Sequence, residues 1–144
     1  AKRGCLLVQL PPSLRRDRQE EFEGLLEYLA DDAAGWHFAV EFRHLSWYDS
    51  AVYRMLRSHR VGTVLHDLPA SATPAIDIAG DFAYLRFHGP EGGYRGSYDD
   101  RYLQTQADRI SGWLQAGKEV YAYFNNTLGD ALQNLRTLNS LLGR

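Results

Sequence analysis

Residues His37–Arg43, with the sequence HFAVEFR, carry the clearest signal for the fold of this chain. Successive side chains of an extended segment point to opposite faces of a sheet. One face of this segment is therefore apolar and carries Phe38 and Phe42. The other face turns polar at the carboxyl end, where Glu41 and Arg43 lie. A strand of this kind packs helices on one side and faces a polar site on the other.

Four more apolar runs share this alternation along the chain. In each, one face is apolar and the other becomes polar toward the carboxyl end. Their length and their flanking Gly and Pro residues are typical of strands. The predicted strands are Cys5–Leu10, His37–Arg43, Val61–His66, Asp81–His88 and Glu119–Asn125.

The segments between the strands carry helical periodicity, except for Leu68–Gly80, whose prolines and small residues indicate a loop or irregular crossover. Asp17 and Glu20 have the spacing of a capping box at the start of the first helix. The last helix is marked by a stripe of leucines: Leu128, Leu132, Leu135, Leu138 and Leu142.

Alternating strands and helices predict right-handed βαβ crossovers and a parallel sheet. Five strands fit either an open doubly wound sheet or part of a (β/α)₈ barrel. An open sheet with helices on both faces would be apolar on both. The one-sided polar pattern favours the barrel. Its interior is closed at the amino ends of the strands and open to ligands at their carboxyl ends. No repeat or linker divides the chain, so we predict one domain over residues 1–144.

The composition excludes several classes of function. Sixteen Lys+Arg against 18 Asp+Glu give a net charge of −2, which does not favour binding to nucleic acid by bulk charge. No apolar run is long enough to cross a membrane, and the start of the chain lacks the pattern of a secretion signal. Cys5 is the only cysteine, which excludes disulfide frameworks and Cys-based zinc sites and favours a cytoplasmic protein.

Polar residues gather at the carboxyl ends of the predicted strands, which in a barrel converge on one mouth. We expect Glu41 and His88 to be the catalytic acid or base groups. The expected substrate-binding residues are Gln9, Arg43, His44, Trp47, Asp67, Arg86, Tyr98 and Asn125.

The two arginines at the mouth are predicted to clamp an oxyanion, with Glu41 and His88 within reach of the same ligand. The alternative is that internal carboxylates already saturate them, Glu41 pairing with Arg43 and Asp67 with Arg86. A metal centre made of Glu41, Asp67 and His88 is conceivable from the ligand types, but no short motif supports it. The sequence identifies no cofactor.

Aromatic side chains near the mouth offer surfaces for a planar or sugar ligand, namely Trp47, Tyr94 and Tyr98. They could equally anchor loops. The loop from Gly89 to Tyr98 is Gly-rich but lacks the Lys-Ser/Thr of a phosphate-binding loop, so it is either a plain turn or a flexible lid.

Four segments together resemble the successive signatures of the DUF72 (YecE-like) family. They are LVQLPPS (7–13), AVEFRHLSW (39–47), YLRFHG (84–89) and YAYFNN (121–126). The resemblance runs in order along essentially the whole chain and implies a TIM barrel. It supplies no reaction, because the activity of the family is unassigned.

The resemblance also implies a partial barrel. Family members carry three further βα units before the first strand here, so that Gln9 would end the fourth strand and Asn125 the eighth. Five strands do not close an eight-stranded barrel, so we expect a fragment that self-associates or is marginally stable.

Three functions remain open at this point. The first is an enzyme acting on a small anionic or sugar-like substrate at the barrel mouth. The second is a module that binds a ligand or a nucleic-acid segment there without turnover. The third is a structural fragment that has no activity alone.

Overall fold

The computed structural model describes residues 4–32, 35–74 and 80–144. Its strands are β1 (Cys5–Gln9), β2 (His37–Glu41), β3 (Val61–His66), β4 (Phe82–Phe87) and β5 (Glu119–Phe124). Its α-helices are α1 (Gln19–Asp32), α2 (Ser50–Ser58), α3 (Asp100–Gln115) and α4 (Ala131–Leu141). The five strands therefore agree with the sequence prediction, apart from one or two terminal residues.

All neighbouring strands are parallel, and their order in the sheet is the order in the chain, β1-β2-β3-β4-β5. The sheet curls into a half-barrel with helices on its outer side. This confirms the predicted partial TIM-barrel type of fold. The order does not reverse along the sheet, so the doubly wound alternative is excluded.

Two apolar clusters join the helices to the outer face of the sheet. The first packs Phe22 and Leu26 of α1 and Leu56 of α2 against β2 and its flanking loop. The second packs α3 and α4 against β4 and β5, with Leu103 and Leu138 at its centre. A smaller inner cluster fills the concave side below the strand ends, from Ala39, Val64, Phe82 and Tyr84.

The start of α1 differs from the predicted capping box. A 3₁₀ turn over Arg16–Arg18 precedes the helix, so Asp17 lies inside this turn and is not a cap. Contacts with another part of the chain hold the turn: the Arg16 amide donates to Ser46 Oγ at 3.1 Å, and its guanidinium lies 3.1 Å from Asp49.

The leucine stripe of the last helix is only partly buried. Leu138 is buried, whereas Leu128 and Leu132 are 68% and 70% exposed. The buried polar residue Asn134 takes a place on the packed face of α4. The predicted crossover between β3 and β4 has no helix in its described part, and residues 75–79 lie outside the described residues. Among the described helices, none is long and apolar enough to span a membrane.

Candidate functional site

The parallel register brings the predicted site residues to one edge of the sheet. Gln9 pairs with Glu41 at the ends of β1 and β2, and His66 pairs with Arg86 at the ends of β3 and β4. We refer to the polar side chains collected at this edge as the strand-end cluster: Gln9, Glu41, Arg43, Asp67, Arg86, His88 and Asn125.

Glu41 lies at the centre of the strand-end cluster and is fully buried. Its Oε1 is in ionic contact with Arg43 Nε, and its Oε2 accepts a hydrogen bond from Arg86 Nη1 at 2.5 Å. A buried carboxylate needs such partners, because desolvation strongly disfavours an isolated charge. One carboxylate thus holds two guanidinium groups.

Neutral side chains fix the same two guanidinium groups. Gln9 Oε1 accepts from Arg43 Nη2 at 2.9 Å and from Arg86 Nη1 at 3.1 Å. Asn125 Oδ1 accepts from Arg86 Nε at 3.3 Å. These contacts orient the arginines without neutralising the second positive charge.

Each arginine keeps a donor nitrogen that is not used internally. Arg43 Nη1 and Arg86 Nη2 have no hydrogen-bond partner within residues 4–32, 35–74 and 80–144. The two side chains are 12% and 15% exposed. The site therefore offers two fixed, partly accessible cations with donors to spare, which is the chemistry that recognises an oxyanion.

His88 joins the arginines to a second carboxylate and is fully buried. Its Nε2 lies 3.5 Å from Arg43 Nη2 and 3.8 Å from Glu41 Oε1. On the other side of the ring, Nδ1 lies 3.5 Å from Asp67 Oδ1. The nearest polar atoms favour the tautomer with its proton on Nδ1. The Asp67 carboxylate is the neighbour of Nδ1, whereas the Arg43 guanidinium lies closer to Nε2 than the Glu41 carboxylate does.

Asp67 is anchored by groups that follow β4. Its Oδ1 accepts from the amide of His88 at 2.7 Å, and its Oδ2 accepts from the hydroxyl of Tyr98. Although burial raises the pKa of the Asp67 carboxyl, its contacts with His88 and Tyr98 outweigh burial and hold the pKa below its usual range. Asp67 is therefore a carboxylate, held to face His88.

The alternative to the clamp is that Glu41 pairs with Arg43 and Asp67 with Arg86. The first pair is present, but the carboxylate that contacts Arg86 is Glu41 and not Asp67. The register explains the difference. His66 lies opposite Arg86, so Asp67 falls one step farther along the strands, beside the backbone that leads to His88.

Two predicted aromatic contacts lie away from the mouth. Trp47 is fully buried in the outer cluster, stacks on Phe42 with 5.2 Å between ring centroids, and donates from Nε1 to Leu14 O. Tyr98 is also buried, and its hydroxyl is occupied by Asp67 and by the Gly89 amide at 2.6 Å. Neither ring has surface for a ligand, so we correct both assignments: Trp47 serves packing, and Tyr98 positions Asp67.

His44 also serves local structure. Its Nδ1 accepts from the Ser46 amide at 3.1 Å and caps the 3₁₀ turn over Leu45–Trp47. In the described residues its side chain makes hydrogen bonds with Ser46 and none with the strand-end cluster, so the structure does not bring it together with the arginines.

Sequence reasoning assigned no partner to His66, which lies under the cluster with 5.7 Å between its ring and that of His88. Its Nδ1 accepts from the Leu68 amide and its Nε2 donates to Phe42 O at 2.9 Å. The hydroxyl of Tyr48 lies 3.0 Å from the same Nε2. The only sequence signal for this network is the position of His66 at a strand end, because Tyr48 is an ordinary loop residue in the sequence.

Backbone hydrogen bonds hold the Gly-rich loop 89–98 against other parts of the chain, which a flexible lid would lack. The Tyr94 amide donates to His88 O at 2.9 Å, and its carbonyl accepts from the Leu128 amide at 3.0 Å. Gly89 has φ +104°, and a Cβ there would lie 2.2 Å from Arg95 O. The loop thus packs on itself and on the start of α4.

The arrangement does not match a metal centre. In the part of the chain that the structure describes, no three His, Cys, Asp or Glu side chains are grouped to hold a metal ion. The oxygens of Glu41 face arginines, and those of Asp67 accept hydrogen bonds.

Comparison with known proteins points to one family. The family model described as "Protein of unknown function DUF72" matches residues 1–144. Among solved structures, a DUF72 family protein of Thermotoga maritima is 30% identical, with a TM-score of 0.81, over 97% of this chain and 58% of that chain. A DUF72 family protein of Enterococcus faecalis is 20% identical, with a TM-score of 0.81 and the same coverage, and shows the fold alone. The chain thus spans 58% of the length of these two proteins. No curated protein matches it.

Proposed function

This chain belongs to the DUF72 family, and from that premise we propose that its strand-end cluster binds a small anionic substrate and acts on it as an acid–base enzyme. One observation carries the proposal. Two guanidinium groups share a single buried carboxylate, and each keeps a donor nitrogen without a partner in the described residues.

The charge balance of the arginine pair supports an anionic ligand. Glu41 offsets one of the two positive charges, and Asp67 is engaged by His88 and Tyr98. An oxyanion beside Arg43 Nη1 and Arg86 Nη2 would complete the neutralisation. Hydrogen bonds to charged groups stabilise by about 1.5–3 kcal/mol each, and a partly buried site screens them less than open water does.

His88 is the proton carrier of the proposed enzyme. With its proton on Nδ1, Nε2 is a base directed toward the arginine pair, where the ligand would lie. Asp67 is a positioning residue that holds the ring in this orientation and stabilises the imidazolium after proton uptake. Glu41 holds the arginines, while Gln9 and Asn125 fix their planes.

Calorimetry with inorganic phosphate tests the arginine clamp. Arg86→Ala is expected to weaken phosphate binding about ten- to a hundredfold, which corresponds to about 1.4–2.8 kcal/mol. The control is Arg136→Ala, since Arg136 is exposed on α4 and its loss changes net charge equally. The proposal is wrong if millimolar phosphate does not bind, or if both variants bind it like the unmodified chain.

A binding module without turnover is the second candidate, and the engagement of both Glu41 oxygens by arginines favours it. The two candidates differ in turnover. If the chain is an enzyme, at least one ester of a panel of phosphate esters should be converted to product by the unmodified chain and not by His88→Gln, while calorimetry shows that both proteins bind it. A module that only binds would convert no ester in either protein.

A further inference from the structure

Tyr94 occupies a backbone conformation that normally belongs to glycine. Its φ is +62°, in a loop where Gly92, Gly93 and Gly96 also have positive φ. For an L residue with a Cβ this conformation is sterically unfavourable. Two backbone hydrogen bonds, to His88 O and from the Leu128 amide, hold it in place.

The ring of Tyr94 contributes little to the core. It is 40% exposed, and its hydroxyl has no hydrogen-bond partner among the residues that the structure describes. The ring packs edge-on against the imidazole of His88, with 5.6 Å between the ring centroids and an interplanar angle of 68°. The strained position therefore places an exposed ring beside the proton carrier.

The arginine pair and the Tyr94 ring are neighbours of the same imidazole. His88 Nε2 is 3.5 Å from Arg43 Nη2, and the His88 ring centroid is 5.6 Å from that of Tyr94. An exposed ring is therefore one side chain away from the arginines that would hold an anion.

We propose that Tyr94 is a specificity-determining residue that packs against the ring of a ligand whose oxyanion is bound by Arg43 and Arg86. This inference rests on the proposed function and narrows its substrate class to ring-bearing anions. Both an aromatic ring and a sugar ring present an apolar face for such packing.

The test compares three probes by calorimetry on the 144-residue chain: inorganic phosphate, phenyl phosphate and ribose 5-phosphate. In the unmodified chain, at least one ring-bearing probe should bind about two- to tenfold more tightly than phosphate, because packing against an aromatic ring stabilises the complex beyond the burial of surface area. The better of the two identifies the ring as aromatic or as sugar.

Tyr94→Gly removes the ring and relieves the unfavourable φ, and Tyr94→Asn removes the ring with a residue that tolerates positive φ. Both variants should abolish the preference for the ring and leave phosphate affinity unchanged, whereas Tyr94→Phe should retain the preference.

Three results would overturn the inference. Ring-bearing probes that bind no better than phosphate exclude a role for the ring. Equal weakening of all three probes in Tyr94→Gly and Tyr94→Asn shows that Tyr94 only supports the loop. Absence of phosphate binding in the unmodified chain removes the proposed function and this inference with it.

Discussion

At the scale of single residues, Glu41 decides the electrostatics of the site. It is the only carboxylate in contact with both Arg43 and Arg86 among the described residues. Its side chain has no exposed surface. The two arginines depend on it for charge compensation, while Gln9 and Asn125 help to orient them.

Glu41→Gln should therefore destabilise the fold and favour anion binding at the same time. Removing one partner of a buried ion pair costs about 3–5 kcal/mol, and the partial exposure of the arginines places the expected loss near the lower end. Urea unfolding with and without phosphate measures both effects, and phosphate should stabilise the variant more than the unmodified chain. Glu20→Gln, at an exposed site on α1, is the control. Unchanged stability in Glu41→Gln would contradict the central role of this carboxylate.

His66 makes the stability of the fold sensitive to mild acid. Burial lowers the pKa of its imidazole below the ordinary 6.5. The unfolded chain then takes up a proton at a higher pH than the folded chain. The stability linked to His66 is present above pH 6.5 and is lost as the pH falls through the folded pKa.

Urea unfolding at about pH 7.5 and about pH 5.5 should show this loss, and His66→Gln should reduce it. The pKa of Asp67 is lowered from 3.8, so its titration lies below this window. An equal loss of stability in both proteins would show that other groups carry the pH dependence.

At the scale of elements, α4 is joined to the loop 89–98 by a buried amide network. Asn134 Oδ1 accepts from the Tyr98 amide at 3.3 Å and from Asn126 Nδ2 at 2.9 Å, and its Nδ2 donates to Ser97 Oγ at 3.0 Å. Asn126 Nδ2 also donates to Gly96 O. This network holds the loop that carries Tyr94 and Tyr98.

Asn134→Ala should destabilise the protein by about 2–3 kcal/mol, because it leaves buried donors without acceptors. Asn139→Ala is the matched control: the same residue type is exposed on the same helix, and its loss should change stability by less than about 0.5 kcal/mol. Thermal or urea unfolding checks the pair. Similar effects of the two substitutions would mean that the network does not stabilise the loop.

At the scale of the whole molecule, the half-barrel has two open edges. In the described chain, β1 pairs only with β2, and β5 pairs only with β4. Open strand edges are templates for pairing with another chain. Leu128, before α4, and Leu132, in its first turn, add exposed apolar surface at 68% and 70% exposure.

We therefore expect the 144-residue chain, expressed alone, to self-associate. Sedimentation velocity should give a mass that rises above 16.4 kDa with concentration, and the double substitution Leu128→Glu and Leu132→Glu should shift the protein toward monomer. A monomer at all concentrations, with a single cooperative thermal transition, would contradict this expectation.

Sequence patterns are enough to predict the strands, their parallel arrangement and the edge of the sheet at which polar residues collect. These features follow from local alternation: the parity of HFAVEFR assigns Phe42 to the helices and Glu41 to the concave side wherever the rest of the chain lies. The same parity predicted that Gln9, Arg43 and Arg86 would meet, and the register brings them together.

The partner of each side chain in the site follows from the three-dimensional packing and not from local sequence. Glu41 and Arg86 are 45 residues apart in sequence, and the choice of Glu41 over Asp67 depends on a register shift of one residue. Trp47 and Tyr98 lie in the outer clusters because helix packing, which has no short-range signal, buries them there. The periodicity of the sequence predicts which face of a strand or helix a side chain occupies. Which side chains contact each other depends on how elements that are far apart in the sequence are aligned.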